Sequence, residues 1–211
     1  MPDEQPPSTP SLPILRGERI YLRPAERADL PTFVRWFSDA ETGRNLTVRS
    51  PVSMPIEEQW YEKMLAKHGK SQYHFVICLL GDGRPIGTIG FHDVDYENGG
   101  AEFGIAIGEK DEWNKGYGTD AVNAICDFGF GALRLERIEL GVYAGNARAR
   151  RAYEKAGFVF EGALRRAHFN EGEYVDVECM ALLRDEWLRL PRRKSWQYAA
   201  DEATGRAASR T

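Results

Sequence analysis

The spacing of apolar positions changes along the chain, and each change marks an element. Residues 18–23 (ERIYLR) alternate polar and apolar like a half-buried strand, which Pro24 ends. From Leu30 the spacing becomes three and four: Leu30, Phe33, Val34 and Phe37 share one side of a helix that Asp29 is placed to cap. A second helix starts near Pro55 and turns Ile56, Trp60, Met64 and Leu65 inward and Glu57, Glu58 and Glu62 to solvent. Residues 72–80, 85–94 and 101–108, joined by GDG and ENGG turns, read as three antiparallel strands in hairpin order. A helix over 119–130 points Ala121, Val122, Ile125, Phe128 and Gly129 to the core. Residues 137–143 (RIELGVY) form a strand, Asn146 caps a helix to about 156, and Gly157 stops it. Strand, helix, strand, helix predicts one parallel step here, before residues 158–167 and 173–183 close the sheet as a long hairpin around FNEG.

The two ends lack such a pattern. Residues 1–14 hold Pro2, Pro6, Pro7, Pro10 and Pro13 and read as a disordered leader; residues 191–211 are charged and Ala-rich and read as a peripheral tail. Between them, residues 15–190 contain no linker, so one domain with one core is expected. A net charge of -4 argues against a general nucleic-acid binder. Cys78, Cys126 and Cys179 are odd in number and form no CxxC, so they read as reduced thiols rather than a disulfide framework or zinc site. No apolar run is long enough for a membrane helix, and the expectation is a soluble cytoplasmic protein with no membrane partner. His68, His74, His92 and His168 lack metal spacing and read as satisfied surface or core histidines.

The stretch 112–121, EWNKGYGTDA, carries the clearest chemistry. Gly116 and Gly118 leave room for the backbone to close on an anion, and the following helix aims its first free N–H groups at the same point. A plain tight turn would also explain two glycines before a helix. A mononucleotide P-loop would need Lys and Ser or Thr directly after the last glycine, whereas Thr119 and Asp120 follow Gly118. GYGTDA fits the dinucleotide pattern G-x-G-x-x-[GA], but that fingerprint belongs at the end of the first strand of a βαβ unit, and Gly116 stands behind a run of hairpins.

KGYGT at 115–119 and NARARRAYEKAGF at 146–158 resemble two motifs of the GNAT superfamily of acetyl-CoA-dependent N-acetyltransferases. In the family's phosphate loop, [QR]-x-x-G-x-[GA], Trp113 takes the first place, departing from the commonest pattern, and Gly116 and Gly118 take the small places. That tryptophan, with the FNEGEYVDVECMALLRDEW ending at 169–187, is similar to the RimJ/RimL branch, whose members acetylate protein N-termini or small amines. The resemblance spans about residues 15 to 187 and implies an α/β fold of GNAT type: a single mixed, mostly antiparallel sheet, splayed in the middle, with helices on both faces. It implies acetyl-CoA as cosubstrate, no metal, and direct transfer to a primary amine. The acceptor would be a small molecule such as a polyamine or aminoglycoside, or a peptide N-terminus; a homodimer is compatible with it.

The resemblance also assigns residues. Backbone N–H groups of Lys115, Gly116, Tyr117, Gly118 and Thr119 would hold the CoA pyrophosphate beside Trp113. Ile105, Ala106 and Ile107 would line the thioester and lend a backbone N–H to the oxyanion. Asn146 and Ala149 would meet the pantetheine arm, and Arg148, Arg151 and Lys155 form a basic stripe that could reach the 3′-phosphate. The plain alternatives are a helix cap for Asn146 and a solvated face pairing Arg150 with Glu154. Tyr153, among Ala149, Ala152 and Ala156, matches the family's general acid; an aromatic so placed is otherwise core. A phenol of pKa near 10 facing a thiol of about 8.5 needs geometry on its side.

An aliphatic amine is mostly protonated at neutral pH, so a base is needed. Glu102, alternating with the small Gly104 and Ala106, is the favoured candidate; Glu139, alternating with Gly141, and water are the others. Glu57, Glu58 and Glu62, with Asp93, Asp95 and Glu97, could gather a cationic acceptor or could only solvate a surface. Two further readings stay open: a CoA-binding module without chemistry, and a nicotinamide-dinucleotide enzyme.

Overall fold

The computed structural model describes residues 15–47 and 51–203; the leader expected at 1–14 and the end of the tail at 204–211 lie outside the described residues. Strands β1 (Leu15–Arg16), β2 (Ile20–Pro24), β3 (Tyr73–Leu79), β4 (Pro85–Asp95), β5 (Gly100–Ile107), β6 (Arg137–Tyr143), β7 (Val159–Asn170) and β8 (Glu173–Leu183) form one sheet, ordered β1-β2-β3-β4-β5-β6-β8-β7. β1 to β5 pair antiparallel in chain order, with short turns joining β1 to β2 and β3 to β4 to β5 and a helical excursion over residues 25–72 joining β2 to β3. β5 and β6 are parallel, joined through helix α4 (Tyr117–Gly131), while β6, β8 and β7 are antiparallel. The fold is therefore the mixed, mostly antiparallel α/β sheet expected.

Helices cover both faces. On one face α4 and α5 (Ala147–Lys155) bury Ala121, Val122, Ile125 and Tyr153 against Ile77, Phe91, Phe103, Ile138 and Leu140. On the other, α1 (Leu30–Phe37) and α3 (Met54–Lys67) bury Leu30, Phe33, Trp36, Tyr61 and Met64 against Val76 and Cys78 of β3. The sheet's period of two sorts these sets, since neighbours along a strand face opposite sides. The second face is only partly covered, because Gly104 and Ala106 of β5 and Glu139 of β6 stay at least partly exposed.

Four expectations are corrected. Asp29 does not cap α1 with its side chain; its carboxylate instead takes Arg23 at 2.6 and 2.7 Å and the Glu26 N–H at 2.8 Å. Trp36, outside the expected apolar set, is buried in α1 because its indole N–H finds Glu109 at 2.9 Å. On α3 the inner face is rotated: Ile56 and Leu65 are 54% and 48% exposed, while Glu57 is 5% exposed beside Tyr61 and Met64. The tail is docked, not peripheral, as far as it is described. After α6 (Arg184–Arg189), α7 (Ser195–Ala203) closes on α4 through Asp127, 2% exposed, whose carboxylate accepts Trp187 Nε1, Arg192, and the N–H and hydroxyl of Ser195 at 2.8 to 3.3 Å.

Candidate active site

A gap opens between β5 and β6. The parallel register runs only from Gly100 opposite Arg137 to Glu102 opposite Glu139; beyond it β5 stays with β4 as far as Gly87 opposite Ile107, and β6 stays with β8. Gly108 donates to the Ile86 carbonyl at 2.9 Å, so alternation turns the backbone groups of Ile105 and Ile107 away from β4, into the gap. Ile107 shows this directly, since its carbonyl accepts the Trp113 indole N–H at 2.8 Å. Ile105 can thus present an N–H to an oxyanion without any bulge: the register shift on this hairpin lies farther down, between His92 and Asp95.

The glycine loop closes one end of the gap on the α4 face. Gly116 is the residue before α4 and has φ +86°, a left-handed conformation that glycine adopts without strain. Arg19 donates to the Lys115 carbonyl at 2.8 Å and lies over the Tyr117 ring. Buried Glu112 takes Arg84 at 2.6 Å and Lys115 Nζ at 3.1 Å, and these cations hold its carboxyl below the usual range. Lys115 therefore offers its backbone rather than its ammonium. Asp120, which excludes a P-loop, accepts the Glu18 and Arg19 N–H groups at 2.9 and 2.8 Å and anchors the helix to the β1–β2 turn. At Gly118 an added Cβ would meet only Ile107 Cγ1, at 3.9 Å. The fold tolerates a larger residue there, so close approach of a ligand is what a side chain would block.

α5 supplies the second wall. Asn146 caps it, accepting the Ala149 N–H at 3.2 Å, which leaves its amide N–H₂ to donate outward. Arg148 stacks on Trp113 at 3.7 Å, so the expected basic stripe is reduced to exposed Arg151 and Lys155. Arg150 takes the plain role weighed for it, bonding Glu154 at 3.0 Å and also Glu178 at 2.6 Å. Tyr153 is 9% exposed between Phe103 and Phe158, and its hydroxyl has no hydrogen-bond partner among the described residues. Burial pushes its pKa up to about 12, so the phenol keeps its proton across the neutral range.

On the other face the candidate bases separate. Glu139 is held by Arg137 at 2.9 Å, and Arg137 also grips Glu161. Glu102 makes no such ion pair among the described residues and stands across from His92 of β4. Two of the histidines, read from sequence as satisfied surface or core residues, are brought together here. His74 and His92 lie 5.3 Å apart on this face, with Trp60 of α3 5.4 Å from His74. Burial, first of all, lowers both imidazoles, His74 to about 4, so both are neutral at pH 7. The acidic groups divide as well: Glu58 and Glu62 pair with Arg27, and Asp95 caps its own turn at the Glu97 and Asn98 N–H groups. Glu57 is buried without an ion pair among the described residues, and desolvation raises its carboxyl pKa. Three free cysteines are present, and no metal-ligating group of histidine, cysteine and carboxylate occurs among the described residues.

Residues 19–159 match the acetyltransferase (GNAT) domain family. The chain is 33% identical over 175 residues to the N-acetyltransferase p20 of Bacillus licheniformis, covering 82% of this chain and 97% of that protein. It is 31% identical over 176 residues to a spermidine N(1)-acetyltransferase of Vibrio cholerae, covering 82% and 97%. The crystal structure of a Vibrio cholerae spermidine N-acetyltransferase in complex with CoA and spermine superposes with a TM-score of 0.75 at 29% identity, covering 81% of this chain and 99% of that one. With the split between β5 and β6 and the glycine loop at the head of α4, these matches show that the chain belongs to the GNAT family of acetyl-CoA-dependent N-acetyltransferases.

Proposed function

We propose that the chain acetylates a cationic small-molecule primary amine of the polyamine class, with acetyl-CoA bound through residues 113–119 and α5. The observation that carries this reading is the gap beyond Glu102 and Glu139. It opens to the head of α4 on one face and to the side bearing Glu57 and Glu102 on the other. The pyrophosphate sits on the N–H groups of Lys115 to Thr119, where the helix dipole adds about 0.3–1 kcal/mol per charge. The thioester lies along Ile105 to Ile107, and an N–H there receives the charge that develops on the carbonyl oxygen. Tyr153 gives its proton to the departing sulfur as the C–S bond breaks. Its raised pKa makes transfer to a free thiolate unfavourable, so the step is concerted with collapse of the intermediate. Glu102 serves removal of the amine proton. Buried Glu57, without an ion pair among the described residues, favours a second positive charge on the acceptor, and the likeness to spermidine acetyltransferases points the same way.

Trp113 and the 169–187 ending, similar to the RimJ/RimL branch, keep a protein N-terminus as the second acceptor class. We place the protein in the cytoplasm, in keeping with its free cysteines. Thiol release from acetyl-CoA, measured across polyamines, aminoglycosides, amino acids and N-terminal peptides, tests the proposal. Polyamines should give the largest kcat/KM. CoA binding with no release on any acceptor would leave a binding module without chemistry, and thermal stabilisation by NAD(P) but not CoA would return the dinucleotide reading.

A further inference from the structure

His92 and Glu102 occupy directly opposed positions on β4 and β5, on the face that carries no α4 or α5. Two glycines on the same face make room for imidazoles. A Cβ at Gly90 would lie 2.9 Å from His74 Nδ1, and a Cβ at Gly104 would lie 2.9 Å from His92 Nε2. Each ring therefore lies across the next strand: His74 over β4 and His92 over β5. The row steps from the part of the sheet covered by Trp60 of α3 toward the gap, and His92 is its last member. His92 Nε2 rests over Gly104, one residue before Ile105, whose backbone groups face the gap. Directly after His92 the β4–β5 register shifts, and Asp93 adopts φ +46°. A bulge at that point re-aims the adjoining side chains and is a common device beside active sites.

We propose, resting on the acetyltransfer reading above, that His92 is the group that takes the proton from the attacking amine and that Glu102 is its positioning partner. In the step, neutral Nε2 of His92 accepts a proton from the ammonium group. The freed lone pair forms the C–N bond to the thioester carbon, the C–S bond breaks, and the Tyr153 hydroxyl protonates the sulfur. The nitrogen of the new C–N bond releases its second proton through water, which restores the phenolate, and the imidazolium returns its proton to water, leaving the amide, CoA thiol and unchanged enzyme. The groups facing His92 set its basicity in opposite directions. Burial lowers it, and Glu102 and Asp93 raise it. His74 is lowered further, by burial and then by His92 and His68, and makes the weaker base. Glu102 therefore acts by keeping His92 basic enough to serve, and His74 acts as its uncharged support.

The test compares His92→Gln with Glu102→Gln in the full-length protein, after circular dichroism and CoA calorimetry show folding and donor affinity like the unaltered protein's. His92→Gln should lower kcat/KM by about 100-fold or more and remove the acidic limb of its pH profile. Glu102→Gln should keep that limb but move it to lower pH, with a smaller loss. The imidazole itself gives a readout independent of turnover and of any His92 variant: in NMR titrations its pKa should fall in Glu102→Gln. A His92→Gln profile within twofold of the unaltered protein's overturns the assignment. So does loss of the limb in Glu102→Gln alone, or a His92 titration indifferent to Glu102. No thiol release by the unaltered protein on any amine would instead overturn the acetyltransfer reading.

Discussion

The two faces of the sheet are built by different rules. On the α4 face, specific locks fix backbone: Asp120 holds the β1–β2 turn, Glu112 ties Arg84 to Lys115, and Asp127 collects four donor groups. Most charged groups there are paired, as burial of charge requires. The α1–α3 face keeps ionisable groups that such locks do not satisfy: Glu57 without an ion pair among the described residues, Glu102 opposite a neutral histidine, and two imidazoles with lowered pKa. A face shaped for an invariant ligand can be rigid and saturated. One that must take and release protons, and admit an acceptor, keeps unsatisfied groups at a cost in stability. The split between β5 and β6 is where the two meet, and in the proposed reaction donor and acceptor reach one point there from opposite sides.

The sharpest way to break this contrast is at Tyr153, which stands on the α4 face yet is the proposed proton donor. Tyr153→Phe should reduce kcat by 10²–10⁴ across pH 6 to 9 with CoA affinity unchanged; a loss within twofold would leave the residue as core packing. Next comes Asp127→Asn, which strips charge from a buried site where half-buried Arg192 is left without its counter-charge. Urea unfolding should show a loss of about 3–5 kcal/mol, with little change in KM for the amine in the fraction still folded. Gly118→Val should weaken CoA binding at least about tenfold by calorimetry through steric exclusion, while its melting temperature stays close to the parent's, because its Cβ meets only Ile107 at 3.9 Å. Equal affinity would remove residues 116–119 from the pyrophosphate site. The smallest effect belongs to Glu57. Its folded pKa is raised, so its contribution to stability is full below the unfolded value of 4.5 and is lost as pH rises through the folded one. Glu57→Gln should therefore raise the melting temperature by about 2–4 °C at pH 7 and leave it unchanged at pH 4, while raising KM for a polyamine. Stabilisation equal at both pH values would show that desolvation of the carboxylate is not the cause.

Local pattern carries much of this molecule. β6 begins and ends at Arg137 and Tyr143 as its alternation predicts, and Asn146 and Gly157 bound α5 because capping is decided within a few residues. The loop at 113–119 is legible for the same reason. What depends on distant partners is not. Trp36 became core only because Glu109 lies within reach of its indole, and Asp127 looks like an ordinary helix charge until Arg192 and Ser195 fold back. The inner face of α3 is misread because its apolar residues do not form a clean stripe, and Tyr61 displaces Ile56 and Leu65. The imidazole row is the clearest case. His74 and His92 are eighteen positions apart, and nothing near either names the other; the register of β3, β4 and β5 brings them together and sets His92 opposite Glu102.

The Asp127 lock bears on the order in which the chain is made. Its donors at Arg192 and Ser195 are synthesised 65 and 68 residues after it. While the chain grows, the helix whose head forms the glycine loop carries a carboxylate destined for burial that has not yet met its partners. The nascent protein can assemble its hairpins early, but this helix is locked in place only when residues 192–195 arrive. A stop codon between α6 and α7, just before Arg192, should thus yield a chain that holds all eight strands and the whole signature at 112–121 and still, on the proposed reading of that loop, binds CoA poorly.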